Sequence, residues 1–245
     1  MNKAKIIINL LGRKRSGKET FYKLLCPYIK DIAELQFATP LKKLCIEILG
    51  LEREQCYGSD ACRETVTSYR WDEVAEIIKV NYPQVGEYLT ARQVLQIVGT
   101  DLFRNLLSKD IWTRAAINTA IKSQAKVCVF TDGRFINEID ALDELKKSVN
   151  RVIHIRLYRE TGLTDKHTSE IELDDLDLYP NQRSLICDKE AFLARGYVQL
   201  AANVWKTKDS KVNYLVDNNK DVESLAQAAL AILKEENIIC DKDPS

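Results

Sequence analysis

Short apolar runs alternate with helical periodicities along most of the chain. "KIIINLL" (5–11) is a continuous, β-branched run, the pattern of a strand buried on both faces. After a polar turn, Phe21, Leu24, Leu25 and Tyr28 fall at i, i+3, i+4 and i+7, one face of a helix that Pro27 ends or kinks. "AELQFA" (33–38) predicts a second strand, and "PLKKLCIEILG" (40–50) a helix opened by Pro40 and closed by Gly50. "WDEVAEIIKVNY" (71–82) reads as helical, whereas the charged, Cys-containing stretch before it has no clear period. Over 90–107, Val94, Leu95, Val98, Leu102 and Leu106 keep helical spacing behind Thr90 as N-cap, and a further helix spans Ile111 to Ser123. "KVCVFTD" (126–132), "RVIHIRLYR" (151–159) and "VNYLVDN" (212–218) complete a set of five strands. Phe135, Ile139, Leu142 and Leu145 mark the helix after the first of these three. A last helix (221–236) gathers Val222, Leu225, Ala226, Ala229, Ile232 and Leu233 on one side.

Strands alternating with helices imply an α/β fold with a parallel sheet covered on both faces. Repeats, low-complexity tracts and Pro/Gly-rich linkers are absent from the sequence, so a single domain over 1–245 is expected.

Composition narrows the function classes. The chain is 45% hydrophobic and 29% charged, as in ordinary soluble proteins. Lys+Arg and Asp+Glu each number 36, so no charge excess points to stable nucleic-acid binding or an anionic membrane. The seven cysteines are irregularly spaced, with two histidines and no CxxC pair, which fits neither a disulfide framework nor a zinc site. Reduced, mostly buried thiols in a cytoplasmic protein are the expectation. The apolar run near the N-terminus is far shorter than the roughly 20 residues that span a bilayer, and lacks a cleavage site.

The chemistry concentrates in three places. "GRKRSGKET" (12–20) follows the first strand and precedes a helix, the context a phosphate-binding Gly-x4-Gly-Lys loop requires. Gly12 and Gly17 let the backbone turn its amides toward phosphate oxygens, Lys18 adds a positive charge, and Arg15 and Ser16 add donors or shape the turn. Where the usual pattern has Ser or Thr for magnesium there is Glu19, with Thr20 one position later; either or both would organise a metal, partly through water. "DGRFINE" (132–138) sits where a central strand ends. There Asp132 would hold a metal-bound water or a ligand hydroxyl, Arg134 would grip a phosphate, and Glu138 would fix that arginine or touch substrate. "RLYRETGLTDKHTSE" (156–170) is a basic candidate lid, with His167 structural or a substrate contact. The bland alternatives are a glycine-containing turn, a surface ion pair and a solvated loop.

"GRKRSGKET", "FATPLKK", "LQIVGTDLFRNLLSKDIW", "DGRFINE", "VIHIRLYR", "DKHTSE" and "YLVDNNKDVESLAQ" together resemble the phage-type deoxynucleoside monophosphate kinases, a P-loop family related to adenylate kinase. The resemblance implies a P-loop NTPase three-layer sandwich with a five-stranded parallel sheet and helices on both faces. It implies ATP and Mg2+, with Gly12, Ser16, Gly17, Lys18 and Thr20 on ATP, and an acidic residue after the lysine as a family habit. Trp112, Asp132, Arg134 and Glu138 would form the acceptor pocket, with phosphate contacts from Lys42 and from Arg156 or Arg159. The implied reaction is phosphoryl transfer to a (deoxy)nucleoside monophosphate in the cytoplasm (a host's, for a viral protein). The helical region of about 40–120 would hold the acceptor, and about 156–175 would form the lid. Phosphomevalonate kinase, which has a similar acidic loop, and a non-catalytic nucleotide-binding interaction protein are the alternatives. An insertion over about 175–211 departs from the family pattern, as an extra helix–strand element, a homodimer contact or a partner-binding appendage.

Overall fold

The computed structural model describes residues 5–160, 173, 189–208 and 210–238. "DKHTSE" with His167, most of the expected lid and the first part of the insertion lie outside the described residues. The chain divides into two compact units, Met1–Gln36 with Thr119–Ser245, and Phe37–Asn118.

Strand β1 (Ile6–Leu11), helix α1 (Lys18–Leu25) and strand β2 (Ile32–Leu35) open the first unit. The second unit holds α2 (Thr39–Glu47), α3 (Arg53–Tyr57), α4 (Asp60–Arg63), β3 (Val66–Arg70), α5 (Glu76–Lys79), β4 (Tyr88–Thr90) and α6 (Ala91–Gln96). After α7 (Ile111–Lys122), the first unit resumes with β5 (Val127–Gly133), α8 (Ile136–Glu144) and β6 (Arg151–Tyr158). It continues through α9 (Lys189–Ala194), β7 (Val198–Ala201), β8 (Val204–Lys206), β9 (Tyr214–Asp217) and α10 (Val222–Glu235).

The main sheet runs β2-β5-β1-β6-β9-β8-β7. Its first five strands are mutually parallel, while β8 and β7 add an antiparallel hairpin. The expected five-stranded sheet is therefore a seven-stranded one. The two additional strands come from the insertion, whose short segments carry too little apolar pattern to read as strands.

Side-chain alternation along the strands separates two cores. Ile8, Leu10, Val129, Ile153, Ile155 and Val216 pack with Phe21 and Leu25 of α1 and with Leu225, Ala229 and Leu233 of α10. Leu11 and Leu215 point the other way and pack with Ile139 of α8 and with Phe192, Tyr197 and Trp205 from the insertion. Phe192 lies 5.6 Å from Tyr197 and 5.0 Å from Trp205 between ring centroids. In its described part the insertion thus contributes side chains to this core. Lys5, just ahead of β1, donates from Nζ to the Ala120 and Ser123 carbonyls at 2.6 and 2.7 Å, closing the end of α7.

A polar chain crosses the second core. Asn9 of β1 donates from Nδ2 to His154 Nδ1 at 3.3 Å, so Nε2 carries the hydrogen that it gives to Asp143 at 2.8 Å. Burial acts to raise the Asp143 carboxyl, but the hydrogen bonds from His154 and Lys146 outweigh it and hold the group at about 2. A carboxylate depressed in the folded state contributes stability above its unfolded value, near 3.9, and loses it as pH falls through the folded value. Asp143→Asn is accordingly expected to destabilise the protein at pH 7 and to flatten the acid limb of its stability curve between about pH 4 and 2, read by urea unfolding at a series of pH values.

The second unit has its own core of Cys45, Leu51, Cys56, Trp71, Leu89, Val94 and Ile97. Burial, with Cys56 beside it, pushes the Cys45 thiol up to about 12, which makes it an inert packing group. The helix expected over 90–107 starts as α6 and widens into a π-helical run, Ile97–Asn105. The helix expected over 71–82 is a 3-10 turn, Trp71–Glu73, followed by the single turn of α5. Ile77 and Val80 are 78% and 86% exposed, so this segment's apolar residues lack the packed face that would extend a helix.

Candidate active site

The phosphate-loop candidate hangs from the C-terminal end of β1. Gly12 N–H donates to the Gly133 carbonyl at 3.1 Å, tying the loop to the end of β5. A Cβ at position 12 would stand 2.2 Å from Ser16 Oγ and 2.8 Å from the Leu157 carbonyl, so only glycine fits this approach. Ser16 N–H closes a turn onto the Arg13 carbonyl at 3.1 Å. Arg15 and Gly17 both adopt left-handed backbone, with φ of 63° and 94°. For Arg15 that conformation is costly, of the kind that collects at ligand-binding loops.

Helix α1 begins at Lys18, so its free amides and dipole face the loop. Lys18 is 8% exposed, and its ammonium donates to the Gly12 and Arg13 carbonyls at 2.5 and 2.9 Å. The cation is therefore stored inside the loop. Ser16 is 1% exposed and its Oγ has no hydrogen-bond partner among the described residues, a costly arrangement unless a ligand completes it.

Parallel strands deliver the other candidates to the same sheet edge. Leu11 is in register with Gly133 of β5 and with Arg156 of β6, so Asp132, Arg134 and Arg156 end beside the loop's origin. Arg156 is fully buried and Arg159, just past the strand, is exposed. Glu138 is buried and its Oε2 accepts from the Arg134 and Phe135 amides at 2.8 and 3.0 Å. That places its carboxylate as the cap of α8, shaping the turn that presents Arg134.

Glu19 and Thr20 are exposed on the first turn of α1. The Glu19 side chain is 74% exposed and pairs with Lys23 at 2.8 Å. Among the described residues no group of three or more His, Cys, Asp or Glu converges as a metal cage.

Lys42 and Trp112 belong to the second unit. Lys42 Nζ lies 4.4 Å above the Tyr57 ring. Trp112 is half-buried, donates from Nε1 to the Gly99 carbonyl in the π-helical run at 2.9 Å, and lies 4.9 Å from Phe103 between ring centroids. Its polar edge is thereby fixed.

Two features of the first unit escape a reading of loops and motifs. Asn218, after β9, donates from Nδ2 to the Ser16 carbonyl at 2.9 Å. Adjacent amides at the end of the last parallel strand are the signal that could have found it. The Asn9–His154 pair leaves no such signal, because both residues lie inside apolar strand runs.

Strand, glycine-bounded loop, helix and an arginine-bearing sheet edge belong to an α/β protein with a large, mostly parallel sheet. The deoxynucleotide monophosphate kinase family model matches residues 52–178, which include Trp112, Asp132, Arg134, Glu138, Arg156 and Arg159. A protein of Acanthamoeba polyphaga mimivirus, provisionally described as a deoxynucleotide monophosphate kinase, is 32% identical over 185 residues, covering 71% of this chain and 85% of the relative. The deoxynucleoside-5'-monophosphate kinase of Escherichia phage T5 is 28% identical over 184 residues, covering 57% of this chain and 72% of the relative. The chain belongs to the deoxynucleotide monophosphate kinase family.

Proposed function

We propose that the protein transfers the γ-phosphoryl group of ATP to a (deoxy)nucleoside monophosphate, giving ADP and the nucleoside diphosphate. The observation that carries this reading is the buried Lys18 ammonium held inside a loop pinched by Gly12 and Gly17. Family membership supports the acceptor class. The fold reading is a P-loop NTPase related to adenylate kinase, with both units working as one kinase.

Lys18 exchanges its carbonyl partners for the β- and γ-phosphates, and the Ser16 hydroxyl and loop amides bind phosphate oxygens. Arg134, with Arg156 or Arg159, neutralises charge that spreads over the transferring group. Asp132 orients the acceptor or a metal-bound water. The acceptor phosphate oxygen attacks as the bond from the γ-phosphorus to the ADP oxygen breaks. A phosphate oxygen needs no strong base, so positioning and electrostatics carry the rate. The second unit holds the acceptor, with Trp112 and Lys42 as contacts.

Mg2+ fits the oxygens of Glu19, through water, and of Thr20, both solvent-facing on the first turn of α1, and when bound would neutralise charge on the donor phosphates. Magnesium keeps several waters and takes few protein ligands in such sites, so a full cage is not required. A cytoplasmic location, a host's for a viral protein, is supported by the viral relatives and by the described helices, none of which is long and apolar enough to cross a membrane.

The test is ADP release with ATP and Mg2+ against a panel of deoxynucleoside monophosphates, ribonucleoside monophosphates and phosphomevalonate. Turnover is expected with at least one deoxynucleotide, lost on chelation, and absent with phosphomevalonate. ATP binding without turnover on any acceptor would replace this reading with a non-catalytic nucleotide-binding protein.

A further inference from the structure

We infer that Asn218 is a positioning residue for the phosphoryl donor, acting through the Ser16–Gly17 peptide; this rests on the reading of the loop as the donor site. Asn218 is 5% exposed, and its main-chain N–H donates to the Tyr158 carbonyl at the end of β6 at 2.8 Å. Its side chain reaches across 202 positions of sequence to the Ser16 carbonyl. The same Nδ2 would lie 2.2 Å from a Cβ at Gly17, so only glycine leaves room for this amide beside the peptide that it holds.

A trans peptide is planar, with its C=O and N–H pointing in opposite directions. Holding the Ser16 carbonyl toward Asn218 therefore holds the Gly17 N–H away from it. The peptide cannot rotate without breaking a buried hydrogen bond. A phosphate oxygen then meets an amide whose direction is already set, which lowers the ordering cost of binding.

The corner that carries Asn218 is secured by other groups. Asn203 donates to the Asp217 and Ser224 carbonyls at 3.1 and 3.2 Å, and Asn219 Oδ1 accepts from Glu160 N–H at 2.8 Å. Its fold does not depend on the Asn218 amide, which is directed at the loop. The Asn219 bond also ties this corner to the exit of β6, beside Arg159. Phosphate loop and arginine-bearing strand thus share one anchor.

Asn218→Asp replaces the donor with an acceptor facing the Ser16 carbonyl, and Asn218→Ala removes it. Ile232→Val, a core truncation in α10 away from this corner, serves as the stability control. ATP binding by titration calorimetry, KM for both substrates and the melting temperature would be measured for each. Asn218→Asp is expected to weaken ATP binding about tenfold, the scale of one buried hydrogen bond, and to leave the acceptor KM within about twofold. Ile232→Val should leave ATP binding unchanged. Unchanged ATP binding in both Asn218 variants, equal weakening in Ile232→Val, or unfolding of both Asn218 variants would overturn the inference. If Lys18→Ala binds ATP and turns over normally, the donor-site reading itself fails; if Lys18 is essential and Asn218 inert, the positioning role alone fails.

Discussion

Replacing Lys18 with alanine is expected to lower turnover by about 10²–10³-fold or more, with the fold retained. The ammonium sits at the centre of the loop, and no other lysine or arginine in the loop is buried. Removing it takes away a buried positive charge, and a buried charge acts on a bound phosphate more strongly than a solvated one. A 10³-fold loss corresponds to about 4 kcal/mol of transition-state stabilisation. The stability cost is smaller. The two carbonyls that Lys18 holds lie at a loop open to phosphate, and alanine is a good residue for the first turn of α1. Steady-state kinetics and thermal melts of the same preparation would separate the two effects. Near-wild-type turnover would remove the loop from the mechanism.

Trp205→Ala is expected to destabilise the protein by about 3–5 kcal/mol, a large part of the 5–15 kcal/mol that a typical domain has. Trp205 lies in β8, inside the insertion, yet shares a core with Leu11 and Ile139. Leu11 immediately precedes the phosphate loop, so this packing reaches the base of the site. A tryptophan on a partner-gripping appendage would instead cost only a few tenths of a kcal/mol in folding. Urea unfolding distinguishes the cases, and a midpoint close to wild type would restore the appendage reading.

Sequence reading succeeded where one physical cause dominates. Strands β1, β5, β6 and β9 are buried on both faces and write themselves as mainly apolar runs. The turn between β1 and α1 is legible because its glycines and lysine stand between a strand pattern and a helix pattern. The hairpin β7–β8 is not, since "VQLA" and "VWK" are too short to establish a period. That Glu138 fixes Arg134 or touches substrate is legible from residue type and position, but the cap it gives the Arg134 and Phe135 amides needs the backbone geometry. The π-helical run keeps the apolar residues of an ordinary helix, so spacing alone cannot distinguish it.

Strand pairing also sets a timetable for synthesis. Ile6 of β1 pairs with Val127 and with Arg151, so the first strand to emerge waits for partners more than a hundred residues away. At about 5–20 residues per second, "IIINLL" remains without its neighbours for on the order of ten seconds on the ribosome. The second unit, Phe37–Asn118, is contiguous in sequence, so its own contacts involve no such wait. A β-branched, uncharged hexapeptide held unpaired is the natural target for chaperones or for aggregation. The stretch that later suspends the glycine–lysine loop is therefore exposed to this hazard during synthesis.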